Sequence, residues 1–129
     1  MLLIKTEVKP CQYGYGLFTT IDIPKDAIIW QLNPIVDKII PLDKIQYLTE
    51  IEQNFIEKYA YNDGKQMILC SDDARYFNHS SKEYNCNDWI HPTWGSVTSA
   101  KRFILAGEEL TSNYGNFDSD FDKYKHLLT

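Results

Sequence analysis

Gly107-Glu108-Glu109-Leu110-Thr111-Ser112-Asn113-Tyr114-Gly115 is the stretch on which the reading of this chain turns. Ala106-Gly107 opens it with a turn, and a short strand is predicted over Glu109 to Ser112. Glu108 and Glu109 invite reading as an acid pair. Adjacent residues of a strand point to opposite faces, so the two carboxylates do not converge on one substrate atom. Immediately upstream lies Ala100-Lys101-Arg102-Phe103-Ile104, and further back Arg75-Tyr76-Phe77 precedes Asn78-His79-Ser80. Gly14-Tyr15-Gly16 lies near the start. Gly-x-Gly alone is an ordinary tight turn, and without a third glycine and a long helix it does not match a dinucleotide-binding fingerprint. Asp72 and Asp73 lie close to the Asn-His-Ser run, but no Gly-x-Ser-x-Gly elbow accompanies it, which argues against a hydrolase.

Taken in order, these segments resemble the SET domain of protein lysine methyltransferases, whose pattern reads Gly-x-Gly, Arg-Phe-x-Asn-His-Ser, then Gly-Glu-Glu-Leu-x-x-x-Tyr. The matches frame the chain from Gly14 to Gly115, and its brevity is similar to the small stand-alone SET proteins of bacteria and viruses. The resemblance implies a β-rich fold of small sheets with short helices and a knot-like C-terminal crossing, spanning 1–129 as a single domain. It implies S-adenosylmethionine as cofactor, methyl transfer to a lysine amine as activity, and no metal. Gly14, Tyr15 and Gly16 would approach the methionine end of the cofactor. The Asn78 side chain and backbone would take its ammonium, and the His79 backbone would meet its adenine. Tyr114 would be the catalytic residue, beside both cofactor and lysine, and the two acids would fix the local turn. A sulfonium brings its own activation. The lysine, with a free pKa of about 10.4, must lose a proton in a narrow apolar channel.

Several positions depart from the family pattern. Ser81 stands where a Cys is common, and Lys82-Glu83-Tyr84 is one residue longer than the pattern and lacks the usual Pro. Gln31-Leu32 occupies the place of a familiar Glu-Tyr, leaving Trp30 or Tyr61 to supply the missing aromatic. Ser112 replaces a Phe or Tyr in the lysine channel, and Asn113 replaces an Asp. No Cys follows Cys86, so the zinc module that closes the channel in many relatives has no counterpart. Phe117 and Phe121 are the candidates for that closing role, unless they only pack on the core. These departures also define an alternative: a catalytically silent SET module that acts in protein interaction.

Composition sets the outer limits. With 129 residues, 43% hydrophobic and 24% charged, the chain is large enough for one core. A net charge of −5 argues against nucleic-acid binding and suits a basic protein substrate, such as a histone or ribosomal-type lysine segment. Aromatics at 14% fill a core or line a pocket for a cation. Cys11, Cys70 and Cys86 lack Cys-x-x-Cys spacing, which argues against zinc or a disulfide framework. The apolar start is too short for a signal peptide and no run suits a bilayer, so a cytoplasmic location is expected, or nuclear if the protein acts on chromatin. A second copy could complete the groove of so small a domain, making a homodimer compatible.

Local patterning predicts strands over Leu2 to Val8, with Pro10 as breaker, and over Leu17 to Thr20, Ala27 to Leu32 and Ile35 to Ile40. Residues 42–61 carry helical spacing at Ile45, Leu48, Ile51, Phe55, Ile56 and Tyr59. Thr49 with Glu52 matches a capping box, so a short helical turn precedes a longer helix from about Glu50. In the resembled family such a helical insert shapes the substrate groove. Gln66 to Cys70 reads as a strand, Ser71 to Cys86 as largely irregular, and Trp94 to Ala100, continuing through Ile104, as another strand. The tail, 116–129, places Phe117, Phe121, Tyr124 and Leu128 at the spacing of a short helix.

Overall fold

A ribbon, rather than a strand ended by Pro10, begins the fold. In the computed structural model, which describes residues 1–12 and 14–125, β1 (Thr6–Cys11) pairs antiparallel with β2 (Gly14–Thr19), and Pro10 sits inside β1 opposite Tyr15. A two-stranded ribbon leaves an open edge on each strand, and an edge tolerates a residue without an N–H. Leu2 joins only as a lone bridge to Trp30, so the expected strand starts at Thr6. Next come β3 (Ile28–Gln31) and β4 (Lys38–Pro41). β4 begins later than its apolar run suggests, because Asn33 folds the preceding residues into a turn. Its Oδ1 accepts from Ile35 N at 3.0 Å and its carbonyl from Asp37 N at 2.7 Å. Ile35 is left 95% exposed.

A 3-10 helix over Leu42–Tyr47 precedes α1 (Glu50–Tyr59). The capping box forms: Glu52 N donates to Thr49 Oγ1 at 3.2 Å and Thr49 N to Glu52 Oε1 at 2.9 Å. Such a cap contributes about 1 kcal/mol. That matters here, because Ile56 is the buried residue of α1 and Ile51 is exposed. β5 (Tyr61–Asn62) and β6 (Gln66–Leu69) follow, and β6 joins β4 and β5 in a three-stranded sheet.

After a 3-10 turn over Asp73–Tyr76 come β7 (Asn78–His79), β8 (Cys86–His91), β9 (Gly95–Ala100) and β10 (Thr111–Ser112). A strand over Cys86–His91 is not evident in the sequence, since Trp89 and Ile90 are both exposed and break the alternation. Conversely, Lys101 to Ile104 do not extend β9; only Ile104 pairs again, as a bridge to Ile23. A last 3-10 turn, Tyr114–Asn116, leads to α2 (Phe121–Tyr124). The tail position Leu128 lies outside the described residues.

The larger sheet has the order β3-β9-β8-β10-β7. β10 is inserted between β7 and β8 and runs parallel to both. Residues 80–85, which connect β7 to β8, therefore have to cross β10. Asn85 fastens this crossing: its Nδ2 donates to Glu109 O at 2.8 Å and its Oδ1 accepts from Thr111 N at 2.9 Å. Beneath it lies the main core of Leu17, Ile23, Ile29, Cys86, Ala100, Ile104 and Leu110. Each large apolar side chain buried there contributes about 1.5–3 kcal/mol. The mostly β fold with short helices is the architecture expected.

Candidate active site

The amide of Asn78 joins the three motifs. Its Nδ2 lies 3.0 Å from Tyr15 O, 2.8 Å from Glu109 Oε2 and 3.4 Å from Cys11 Sγ. With Nδ2 committed to protein acceptors, Oδ1 is the end of the amide able to accept from an ammonium. Gly16 is glycine for an internal reason that differs from cofactor clearance. A Cβ there would stand 2.6 Å from Glu109 Oε2 and 3.2 Å from Asn78 Nδ2. Gly14 has a φ of +109 and nothing within 4 Å of a would-be Cβ, so it supplies both the turn and an open stretch of backbone.

The two acids part as strand alternation requires. Glu108 pairs with Arg102 at 2.8 Å and accepts from Leu105 N at 2.6 Å, closing its own turn. Glu109 turns inward to Asn78 and Gly16. Sequence reasoning saw the first role and missed the second, which arises only when β2 and β7 come together.

Tyr114 is held at both ends. Its N–H donates to His79 Nδ1 at 3.1 Å, and its hydroxyl donates to Phe77 O at 2.5 Å. The hydroxyl proton is thus spent, and the oxygen meets any further partner as an acceptor. Burial, then the charges of Asp118, Asp88 and Glu109, push the phenol up to about 12, so it stays neutral at pH 7. His79 must be unprotonated at Nδ1 to accept, and burial lowers its pKa in that direction. The histidine ring therefore positions the tyrosine backbone, a role the sequence does not reveal.

Tyr114 opens onto a cleft of about 610 Å³, which Trp30, Tyr61, Ser112 and Phe117 also line. Tyr61 meets Phe117 edge-on at 5.0 Å, and Phe117 meets Tyr114 at 5.6 Å. Both candidates for the missing aromatic, Trp30 and Tyr61, thus reach the cleft. Phe121 does not line it: its ring lies 5.4 Å from that of His79 and packs where Gly115 lacks a side chain. Residues of α1 from Glu57 onward form part of the rim. Cys70 is in the wall, where burial pushes its thiol up to about 12 and favours the neutral form at pH 7. Asp88, Ser96 and Thr98 also line the cleft and were not anticipated.

This arrangement suits S-adenosylmethionine by type. The Asn78 amide bonds to Tyr15 O beside the open backbone of Gly14, and the rings of Tyr114 and Phe121 lie 5.1 and 5.4 Å from that of His79. Rings attract both adenine and a sulfonium.

A family model described as the SET domain matches residues 14–115. No curated protein matches the chain in sequence. Similar solved structures include Chaetomium thermophilum Polycomb Repressive Complex 2 bound to GSK126, at 22% identity and a TM-score of 0.70 over 95% of this chain and 17% of that one. A second is ctPRC2 in an autoinhibited conformation bound to S-adenosylmethionine, at 23% identity and 0.67 over 96% and 17%. A third is an active polycomb repressive complex 2 in the basal state, at 22% and 0.66 over 87% and 15%. The chain spans about a sixth of those longer chains. At this identity the likeness shows a shared fold.

Proposed function

The chain belongs to the SET-domain family, and on that premise we propose that it transfers a methyl group from S-adenosylmethionine to the side-chain amine of a lysine in a basic protein. The observation that carries this reading is the convergence of three distant motifs. Asn78 bonds to Tyr15 and Glu109 while Tyr114 is pinned by His79 and Phe77 where the cleft begins. The cofactor, when bound, supplies a methyl group on a sulfonium and so needs no acid from the protein.

What the chain supplies is binding and alignment. Asn78 Oδ1 would accept from the cofactor ammonium, and the backbone at Gly14 and Tyr15 would border its methionine end. Tyr114 would accept a hydrogen bond from the incoming amine and fix its lone pair in line, and alignment of this kind contributes several kcal/mol to a displacement. Phe117 and Tyr61 would shield the side chain from water. The neighbouring structures, one described with S-adenosylmethionine and another as ctPRC2 in complex with H3K27me3 and H3K27M, support a cationic histone-like segment as the substrate class.

Incubation with tritiated S-adenosylmethionine and either core histones or ribosomal proteins tests the reading. Label on lysine is expected, reduced by about a hundredfold or more in Tyr114→Phe, the scale of losing one oriented group at a reacting centre. Cofactor binding without label on either protein set, in a variant-independent manner, would favour a silent interaction module.

A further inference from the structure

The cleft contains a charge that its aromatic walls do not announce. Trp30, Thr98 and Asp88 are directly opposed on β3, β9 and β8, so their side chains share one row on one face of the sheet. All three line the cleft with Tyr114 and Ser112. Thr98 Oγ1 donates to Asp88 Oδ1 at 2.6 Å, which fixes the carboxylate and leaves Oδ2 over. Among the described residues, the buried side-chain polar atoms without a hydrogen-bond partner are two: Asp88 Oδ2 and Trp30 Nε1. Both belong to this row. An unpaired buried acceptor of that kind costs stability and calls for an explanation.

We propose that Asp88 determines specificity for the substrate amine, with Oδ2 accepting a hydrogen bond from the cationic side chain that enters the cleft. This inference rests on the proposed methyl transfer for the identity of the ligand, and on the geometry of the row for the site. A lysine ammonium answers the demand of Oδ2 with both charge and a donor, and Tyr114, its own proton spent, accepts from a second N–H. A neutral side chain of the same length offers neither. Thr98 is a positioning residue, acting through Oδ1.

Tyr61, Tyr114 and Cys86 feel the Asp88 charge and are each held neutral by burial, and Glu57, Lys58, Asp63 and Asp118 line the same cleft. The nearby Arg75 guanidinium is committed to Cys70 O, at 3.1 and 3.3 Å, and lies over the Tyr59 ring. Desolvation raises the Asp88 carboxyl to about 6, partly offset by the Thr98 hydroxyl bonded to Oδ1 and by the Ser112 hydroxyl, which lies close by but makes no hydrogen bond to Oδ2. In the empty cleft the carboxyl is therefore mostly ionised at pH 7.5 and mostly protonated at pH 5, so a cation that binds at pH 5 must also displace that proton.

The test is binding, so that it does not depend on turnover. Wild type and Asp88→Asn, each with S-adenosylhomocysteine, are titrated with Nα-acetyl-lysine N-methylamide and with its norleucine counterpart, followed by NMR of the indole N–H signals. At pH 7.5 wild type should prefer the lysine by about tenfold or more, as hydrogen bonds to charged groups reach that scale. Asp88→Asn should show less than about twofold preference, by the same scale. In wild type the preference should fade between pH 7.5 and 5 while norleucine binding holds. Equal preference in the variant, no preference in wild type, or a preference unchanged at pH 5 would overturn the proposal. S-adenosylhomocysteine binding, measured separately, reports on the methyl-transfer reading: its failure with the amine preference intact would sink that reading and leave the amine site standing.

Discussion

Asp88 and Gly16 show how single residues are constrained here, and each yields a prediction. The folded carboxyl of Asp88 is raised from 3.8 to about 6 by burial. Its contribution to stability is therefore present in full below pH 4 and is lost as pH rises through 6. Relative to Asp88→Asn, wild type should lose about 2 kcal/mol between pH 4 and 7, measured by urea denaturation across that range. A flat difference would mean the carboxyl is solvated. At Gly16, alanine would drive a methyl into the Glu109 carboxylate and cost about 1–3 kcal/mol, in the range of overpacked sites. Removing that carboxylate should relieve it, so Gly16→Ala in a Glu109→Ala background should cost at least about 1 kcal/mol less. Asn78, His79 and Tyr114 could be nominated from the sequence because they stand in contiguous motifs. Asp88 could not, because the face it points to is fixed only when β8 pairs with β9.

At the scale of elements, what could be read in advance was what is local. The capping box of α1 spans Thr49 to Glu52 and formed as its spacing indicates. Thr49→Ala should lower stability by about 1 kcal/mol and leave cofactor binding unchanged, because the cap lies away from the Asn78 junction. Thermal unfolding with and without S-adenosylhomocysteine checks both statements. β8 and β10 were harder to see for opposite reasons. β8 exposes two large apolar residues in succession, and β10 is two residues long and owes its existence to flanking parallel strands. Pro10 misled because an edge position removes the penalty that normally makes proline a breaker.

For the whole molecule, a −5 charge and the unpartnered Oδ2 of Asp88 in the cleft both suit the proposed cationic partner. Encounter with a basic protein should be steered by that field, so raising salt from 50 to 300 mM should increase KM for histones more than it lowers kcat. A KM unaffected by salt would confine electrostatics to the cleft. The crossing of residues 80–85 over β10 brings Asn78, His79 and Tyr114 together from segments far apart in the chain, and the proposed cofactor site depends on that crossing. Calorimetric titration with S-adenosylhomocysteine, of wild type and Asn78→Ala, therefore tests the account most directly. Micromolar binding by wild type that collapses in a folded Asn78→Ala variant is the predicted result; no binding by folded wild type, or equal binding by the variant, would contradict it.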